Sequence, residues 1–176
     1  AQAGEDVAVV ARGAHLAAIR ASGLRLIEEG RETTVTLAAT DRIAECVPRD
    51  LIILGVKAHQ LGAIAGDLAG AMGPETMVLT AQNGIPWWYF FKHGGPLEGT
   101  RLESVDPGGA IARNLPIDRI IASVVYPAAE IAGPGVVRHV EGNRFSLGEI
   151  DGTKSERIAR VSAVFTKAGF KAPVIT

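Results

Sequence analysis

A single cysteine, Cys46, among 176 residues leaves no partner for an internal disulfide. That fits a reducing compartment, and a cytoplasmic location is expected. Cys46 sits in an apolar helical context and reads as core filler rather than as a nucleophile. Charge of one sign is missing too. Lys and Arg number 18 against 19 Asp and Glu, a net charge of −1, so there is no electrostatic case for nucleic acid or an anionic membrane surface as partner. No apolar run approaches the roughly 20 residues of a membrane span, and no stretch reads as a signal peptide. Repeats, low-complexity tracts and charge blocks are absent, and no metal site is read. What is there is an ordinary globular composition, 47% apolar and 21% charged, in a length that suits one domain with a sizeable core.

The stretch from Asp50 to Gly84 reads strand, helix, strand. Asp50 to Val56 is a short, β-branched apolar run of the kind buried on both faces of a parallel sheet, and it ends at Lys57. Leu61, Ile64, Ala65, Leu68 and Ala69 then recur at helical spacing until Gly73-Pro74 stops the helix. A second run, Met77 to Thr80, ends at Gln82-Asn83-Gly84. Two parallel strands thus each deliver a polar side chain, Lys57 and Asn83, at their carboxyl ends, the edge where open α/β sheets bind ligands. A blander reading also stands: a strand can end in lysine on reaching solvent, and Asn83-Gly84 can be only a turn.

Ala1 to Gly4 resembles the tail of a helix closed by glycine, followed by a strand at Val7 to Ala11. A domain that begins at the end of a helix is expected to have lost what came before. The strand ends at Arg12-Gly13, and a helix follows from Ala14 to Ala21. In a dinucleotide fold the tip of this strand meets the adenosine ribose; a carboxylate there selects NAD, and an arginine accommodates the 2′-phosphate of NADP. Arg12 holds the position, and guanidinium geometry suits a phosphate. Leu24–Ile27 and Thr33–Leu37 flank Glu28-Glu29-Gly30-Arg31 as a β-hairpin on the sheet, and a short helix, Arg42 to Cys46, precedes the Asp50 strand.

Aromatic residues make up only 5% of the chain, yet over half of them lie in Trp87-Trp88-Tyr89-Phe90-Phe91, after Pro86. The cluster reads as packing of a loop or as the lining of a pocket mouth or interface. Gly94-Gly95 lacks a following Lys-Ser or Lys-Thr and is no phosphate loop. Asp106 to Gly109 reads as cap and turn before a helix at Ala110 to Asn114. A strand at Ile120 to Tyr126 reaches Pro127-Ala128-Ala129, and Gly133-Pro134-Gly135 turns into Val136 to Val140. Arg144 to Gly148 is expected to pair back on that strand, an antiparallel edge meander on a mostly parallel sheet. His139 reads as structural, since no carboxylate or cysteine stands at a defined spacing. Ser155 to Ala168 is an amphipathic helix with Ile158, Val161, Val164 and Phe165 on one stripe, and Lys171 to Ile175 is a terminal strand.

Four ordered motifs carry a resemblance: Val9-Val10-Ala11-Arg12-Gly13, Val56-Lys57-Ala58, Gln82-Asn83-Gly84, and Gly133-Pro134-Gly135-Val136 running to His139. Together they resemble the nucleotide-binding domain of the ketopantoate reductase (2-dehydropantoate 2-reductase) family over essentially all 176 residues. The resemblance implies a Rossmann-like, doubly wound α/β fold and NADPH-dependent reduction of a 2-oxo acid, ketopantoate to pantoate in pantothenate biosynthesis. It makes Arg12 the 2′-phosphate contact and sets Lys57 and Asn83 near the nicotinamide, as positioning groups for catalysis. Asn83 also reaches the substrate, and Ala129 is a backbone contact to the cofactor. The family's first strand, its glycine-rich loop and its helical second domain with the proton-donating lysine are expected to lie outside this chain. The whole of 1–176 then reads as a cofactor-binding fragment that does not turn over substrate alone. Its Val7–Ala11 and Leu51–Val56 strands would flank the missing strand and stand apart rather than pair. A related NAD(P)-dependent hydroxyacid dehydrogenase and a non-catalytic nucleotide-binding module remain open as alternatives.

Overall fold

Short β-branched runs buried on both faces pair most stably in parallel between helices, and three such runs form the centre of this protein. The computed structural model describes residues 1–46 and 48–176. In chain order these form β1 (Ala8–Val10), α1 (Gly13–Ser22), β2 (Leu24–Glu28), β3 (Arg31–Val35), β4 (Ala38–Thr40), β5 (Leu51–Ile53), α2 (Leu61–Ala71), β6 (Met77–Thr80), α3 (Ala110–Asn114), β7 (Ile120–Val125), β8 (Ala128–Gly133), β9 (Val136–Glu141), β10 (Phe145–Glu149) and α4 (Glu156–Lys167).

The central sheet has the order β10-β7-β6-β5. β5, β6 and β7 run parallel, with Ile52 opposite Val78 and Val78 opposite Ile120. Alternation along each strand splits the apolar residues between two cores. Val78 and Ile120 face a cluster with Leu61 and Leu68 of α2, Ile111 of α3 and Trp87. Leu79, Ile121 and Leu147 face the opposite cluster, where Ile158, Val161 and Phe165 of α4 close the layer. Each of these side chains buried contributes roughly 1.5–3 kcal/mol relative to exposure. Helices on both faces make this a Rossmann-like, doubly wound α/β unit. Capping agrees with it: the Ser155 side chain accepts from Ile158 N at 3.2 Å to start α4, and both oxygens of buried Asp106 accept from Ile111 N and Ala112 N at the start of α3.

The other six strands stand outside that sheet. Among the described residues β1 pairs only with β4, in parallel, a strand the sequence reading left unassigned, and has no ladder with β5. An ion pair between Asp6, just before β1, and Arg49, just before β5, links their amino-terminal ends instead. The β2–β3 hairpin forms in the expected register, Leu24 opposite Val35 and Glu28 opposite Arg31. It belongs to a second sheet, β3-β2-β9-β8, rather than to the central one. That sheet is fixed to α1 where Gly135 N donates to His15 Nδ1 at 3.0 Å, and a Cβ at Gly135 would stand 2.9 Å from that of Ala18.

The meander differs from expectation in its pairing. Residues 144–148 do not pair with 136–140. β9 pairs antiparallel with β8 and parallel with β2, while β10 pairs antiparallel with β7, Leu147 opposite Ser123. The reason lies in the turn at Gly142. Its φ is +76°, and a Cβ there would lie 2.7 Å from the Tyr126 carbonyl oxygen. The chain therefore returns against the end of β7 and carries the fully apolar Leu147 into the central core. Residues 171–175 continue this edge, with Phe145 N donating to Lys171 O and Ile175 N to Leu147 O. The first central strand is shorter than its apolar run, 51–53 rather than 50–56, because Gly55 N turns back to Ile53 O.

One ionic cluster ties α4 to the central sheet. Arg157 donates to Glu149 from Nε at 2.8 Å and Nη2 at 2.6 Å, and also to the carbonyls of Asp118 and Ile120. Ser155 donates to the same carboxylate. Burial pushes the Glu149 carboxyl up, but the hydrogen bonds from Arg157 and Ser155 and the Arg157 charge outweigh it, leaving the group below its ordinary value. A lowered carboxyl binds protons less tightly in the folded than in the unfolded chain. Its stabilisation is complete above the unfolded pKa, about 4.3, and is lost as pH falls. Arg157→Ala should therefore cost on the order of 3 kcal/mol at pH 7 by leaving Glu149 buried and unpaired. In urea titrations from pH 7 to 3 the variant should approach the wild type as the medium acidifies. A difference independent of pH would contradict this assignment.

Candidate functional site

Parallel strands deliver their carboxyl ends to one edge, and there the site is assembled. Beyond β5, Lys57 opens the 3-10 turn Ala58–Gln60 with extended φ/ψ (−66°, 146°), and its N–H donates to Gln60 Oε1 at 3.0 Å. Its ammonium group is exposed and makes no ion pair among the described residues. Beyond β6, Asn83 uses both ends of its amide on one residue. Nδ2 donates to Val125 O at 3.0 Å and Oδ1 accepts from Val125 N at 3.2 Å. Only this amide orientation satisfies both bonds, so its assignment is fixed by the partners. One N–H and one oxygen lone pair of Asn83 remain for a ligand. Gln82, given in the sequence reading as the end of a strand and part of the Gln82-Asn83-Gly84 motif but with no role of its own, donates from Nε2 to Val56 O at 2.7 Å and ties the two loops together. A run of three polar or glycine residues after a buried strand was the signal available for it.

Arg12 follows β1 with φ −135° and ψ 161°, and its carbonyl accepts from Leu16 N at the start of α1. Its guanidinium is exposed and has no hydrogen bond or ion pair among the described residues, and the next residue, Gly13, has open space around its Cβ position. That is a fit for a phosphate: an unengaged fork of donors at the start of a helix. Ala129 lies in edge strand β8 of the second sheet, opposite His139. His139 itself is held at both nitrogens, Nδ1 3.0 Å from Glu28 Oε1 and Nε2 against Gly142 O. The carboxylate partner that no sequence spacing indicated comes from across the β2–β9 ladder, and the role is structural.

A cavity of about 320 Å³ opens at this edge, lined by Gln82, Asn83 and Ala58 and by the aromatic segment Trp87, Trp88 and Tyr89. Lys57 borders Ala58 but is not among its lining residues. Trp87 belongs to the core on the α2 side, while Tyr89 and Phe90 pack edge-to-face at 5.0 Å. Lys92 anchors the segment on Asp151 at 2.9 Å. Hydrogen bonds from Thr153 and Lys92 hold the Asp151 carboxyl well below its ordinary value. A larger cleft of about 630 Å³ between the turns at 28–30 and 138–143 is lined by none of Arg12, Lys57, Asn83 or Ala129. Among the described residues no group of His, Cys, Asp or Glu is arranged to hold a metal, and no helix is long and apolar enough to cross a membrane.

The profile of the family described as ketopantoate reductase PanE/ApbA matches residues 1–152. A 2-dehydropantoate 2-reductase of Mesorhizobium japonicum is 52% identical over 169 residues, covering 96% of this chain and 52% of that protein. A 2-dehydropantoate 2-reductase of Halobacterium salinarum is 29% identical, with 98% and 51% covered. Among solved structures, a provisionally assigned ketopantoate reductase from Ralstonia solanacearum MolK2 superposes with a TM-score of 0.93 at 42% identity, covering 99% of this chain and 54% of that one. The chain thus spans about half the length of the curated relatives it matches.

The Asn83 latch can be tested alone. A carboxylate only accepts, so in Asn83→Asp one oxygen would face the Val125 carbonyl at neutral pH. Denaturation at pH 7 should show a loss of about 1–3 kcal/mol. Because the facing carbonyl favours the protonated acid, the folded chain binds that proton more tightly than the unfolded one, and the loss should shrink as pH falls toward about 4. A variant as stable as the wild type at pH 7 would contradict the latch.

Proposed function

This chain belongs to the ketopantoate reductase PanE/ApbA family, and from that membership we propose that it is the dinucleotide-binding half of an NADP-dependent reductase acting on a 2-oxo acid. Ketopantoate, reduced to pantoate, is the substrate this reading favours, in a cytoplasmic protein. The helical substrate half lies outside these 176 residues, and alone they bind cofactor without turnover. The observation that carries the reading is the unengaged guanidinium of Arg12 at the carboxyl end of β1, together with Lys57 and Asn83 beyond the parallel strands β5 and β6.

When bound, NADPH supplies the hydride. The chain's own residues bind and orient. Arg12 takes the 2′-phosphate through charge-assisted, bidentate hydrogen bonds, and Ala129 offers backbone to the cofactor. Asn83, already pinned on Val125, directs its remaining N–H at the reacting end and at the substrate, losing little freedom on binding because the amide is pre-set. Lys57 brings an ammonium to the same edge, where negative charge grows on the substrate oxygen as its carbon is reduced. The proton that completes the alcohol comes from a lysine outside these residues, as the family resemblance implies.

Arg12→Ala tests cofactor choice in the protein at its native length. Hydrogen bonds to a charged group contribute about 1.5–3 kcal/mol, so the KM for NADPH should rise roughly ten- to a hundredfold with that for NADH nearly unchanged. Equal effects on both cofactors would overturn the role of Arg12.

A further inference from the structure

β5 leaves its ladder at Leu54, whose N–H donates to Leu79 O at 2.9 Å. Gly55, Val56 and Lys57 follow with no strand pairing to hold them, and a Cβ at Gly55 would meet only open space. A lysine on so loose a segment has no fixed direction. Yet the single peptide that joins Val56 to Lys57 is held at both of its polar groups. Its carbonyl accepts from Gln82 Nε2 at 2.7 Å, and its N–H donates to Gln60 Oε1 at 3.0 Å. The peptide is planar, so one bond leaves it free to swing and two, at opposite edges, fix its plane. Gln60 N also donates to Lys57 O at 2.9 Å. Both peptides flanking the Lys57 Cα are therefore tied, which sets its φ and ψ (−66°, 146°) and the direction in which its side chain leaves the backbone. Of the two glutamines, Gln60 is exposed and Gln82 half-buried, where a hydrogen bond competes less with water. Among the described residues, the Gln82 bond is the one that joins 55–57 to the loop of another strand.

We propose that Gln82 is a positioning residue for Lys57, with Gln60 as the second jaw of a clamp on the Val56–Lys57 peptide. The inference rests on the reductase reading above and adds to it the device that holds Lys57 in register with Asn83. Asn83 follows Gln82 directly in the chain and is itself latched on Val125. The two side chains assigned to the reacting end thus share one anchor, the segment 82–83. Lysine carries its charge on a flexible four-carbon stem, so fixing the base of that stem removes much of the search the ammonium must make as negative charge grows. A displacement of about 1 Å at such a site costs up to about a hundredfold in rate. If Gln82 only satisfied a backbone carbonyl, its loss would lower stability without any dependence on Lys57.

The test uses the protein at its native length, with NADPH and ketopantoate. Gln82→Leu removes the donor and should lower kcat roughly tenfold or more. In a Lys57→Ala background the same change should cost less than about twofold, because a stem without its ammonium needs no aiming. Gln82→Glu keeps the shape but turns a carboxylate toward the Val56 carbonyl. That neighbour raises the carboxyl above its ordinary value of about 4.3, so lowering the pH from about 8 toward about 5 should restore a donor and recover kcat relative to Gln82→Leu. Amide exchange reads the clamp without turnover: in Gln82→Leu the Lys57 N–H should exchange at least about tenfold faster, while the Val125 N–H held by Asn83 keeps its rate. Equal losses of kcat with and without Lys57, or no recovery of Gln82→Glu at low pH, would overturn the positioning role and leave the reductase reading intact. Unchanged exchange at Lys57 would overturn the clamp itself. A wild type that reduces no 2-oxo acid would overturn the reductase reading and the positioning role with it, and exchange at Lys57 would still decide the clamp.

Discussion

The parallel pairing of β5, β6 and β7 is the constraint on which the rest depends. Buried on both faces, these strands demand a helical layer on each side, and α2 with α3 and α4 meet that demand. Parallel direction then forces three successive carboxyl ends, and the loops that follow them, onto one edge. The loops cannot be free there, because their backbone must find partners beside an apolar core. Gln82 reaching Val56 O and Asn83 clasping Val125 satisfy that need between neighbouring strands. Asn83 both stitches this edge and is used by the functional reading, so at that residue positioning and stability share the same bonds.

The second sheet adds a separate layer of control. It is joined to the central sheet through the chain at residues 126–127 and to α1 through Gly135 and His15. The turn at Gly142, closed by His139 against its carbonyl, leaves no room for a Cβ beside Tyr126, the residue that follows the Val125 latch. A side chain at Gly142 would therefore be felt at the end of β7, next to Asn83. This explains why a histidine with a carboxylate partner here serves the framework rather than chemistry.

Much of this was legible in the sequence because it is written in short-range pattern. The 51–56 and 77–80 runs, the periodicity of 61–71, the Asp106 cap and the stripe on α4 all depend on neighbours within a few residues. So did the candidates Arg12, Lys57 and Asn83, which follow directly from strand ends. What escaped depends on long-range partners. β4 is three small or polar residues that become a strand only because β1 lies alongside. Residues 145–149 alternate as well against β9 as against β7, and the pairing they take, Leu147 opposite Ser123, joins segments more than 20 residues apart. The aromatic segment could be placed near a pocket but not in it, since Trp87 and Tyr89 differ in burial for reasons set by α2 and Asp151.

The most direct test of the account is a crystal structure of the protein at its native length with NADP+ bound. The account predicts the 2′-phosphate within hydrogen-bonding distance of the Arg12 guanidinium and the nicotinamide ring at the Lys57–Asn83 edge, with the aromatic cavity still open beyond it. A cofactor whose 2′-phosphate turns away from Arg12, or one seated in the cleft between residues 28–30 and 138–143, would contradict it.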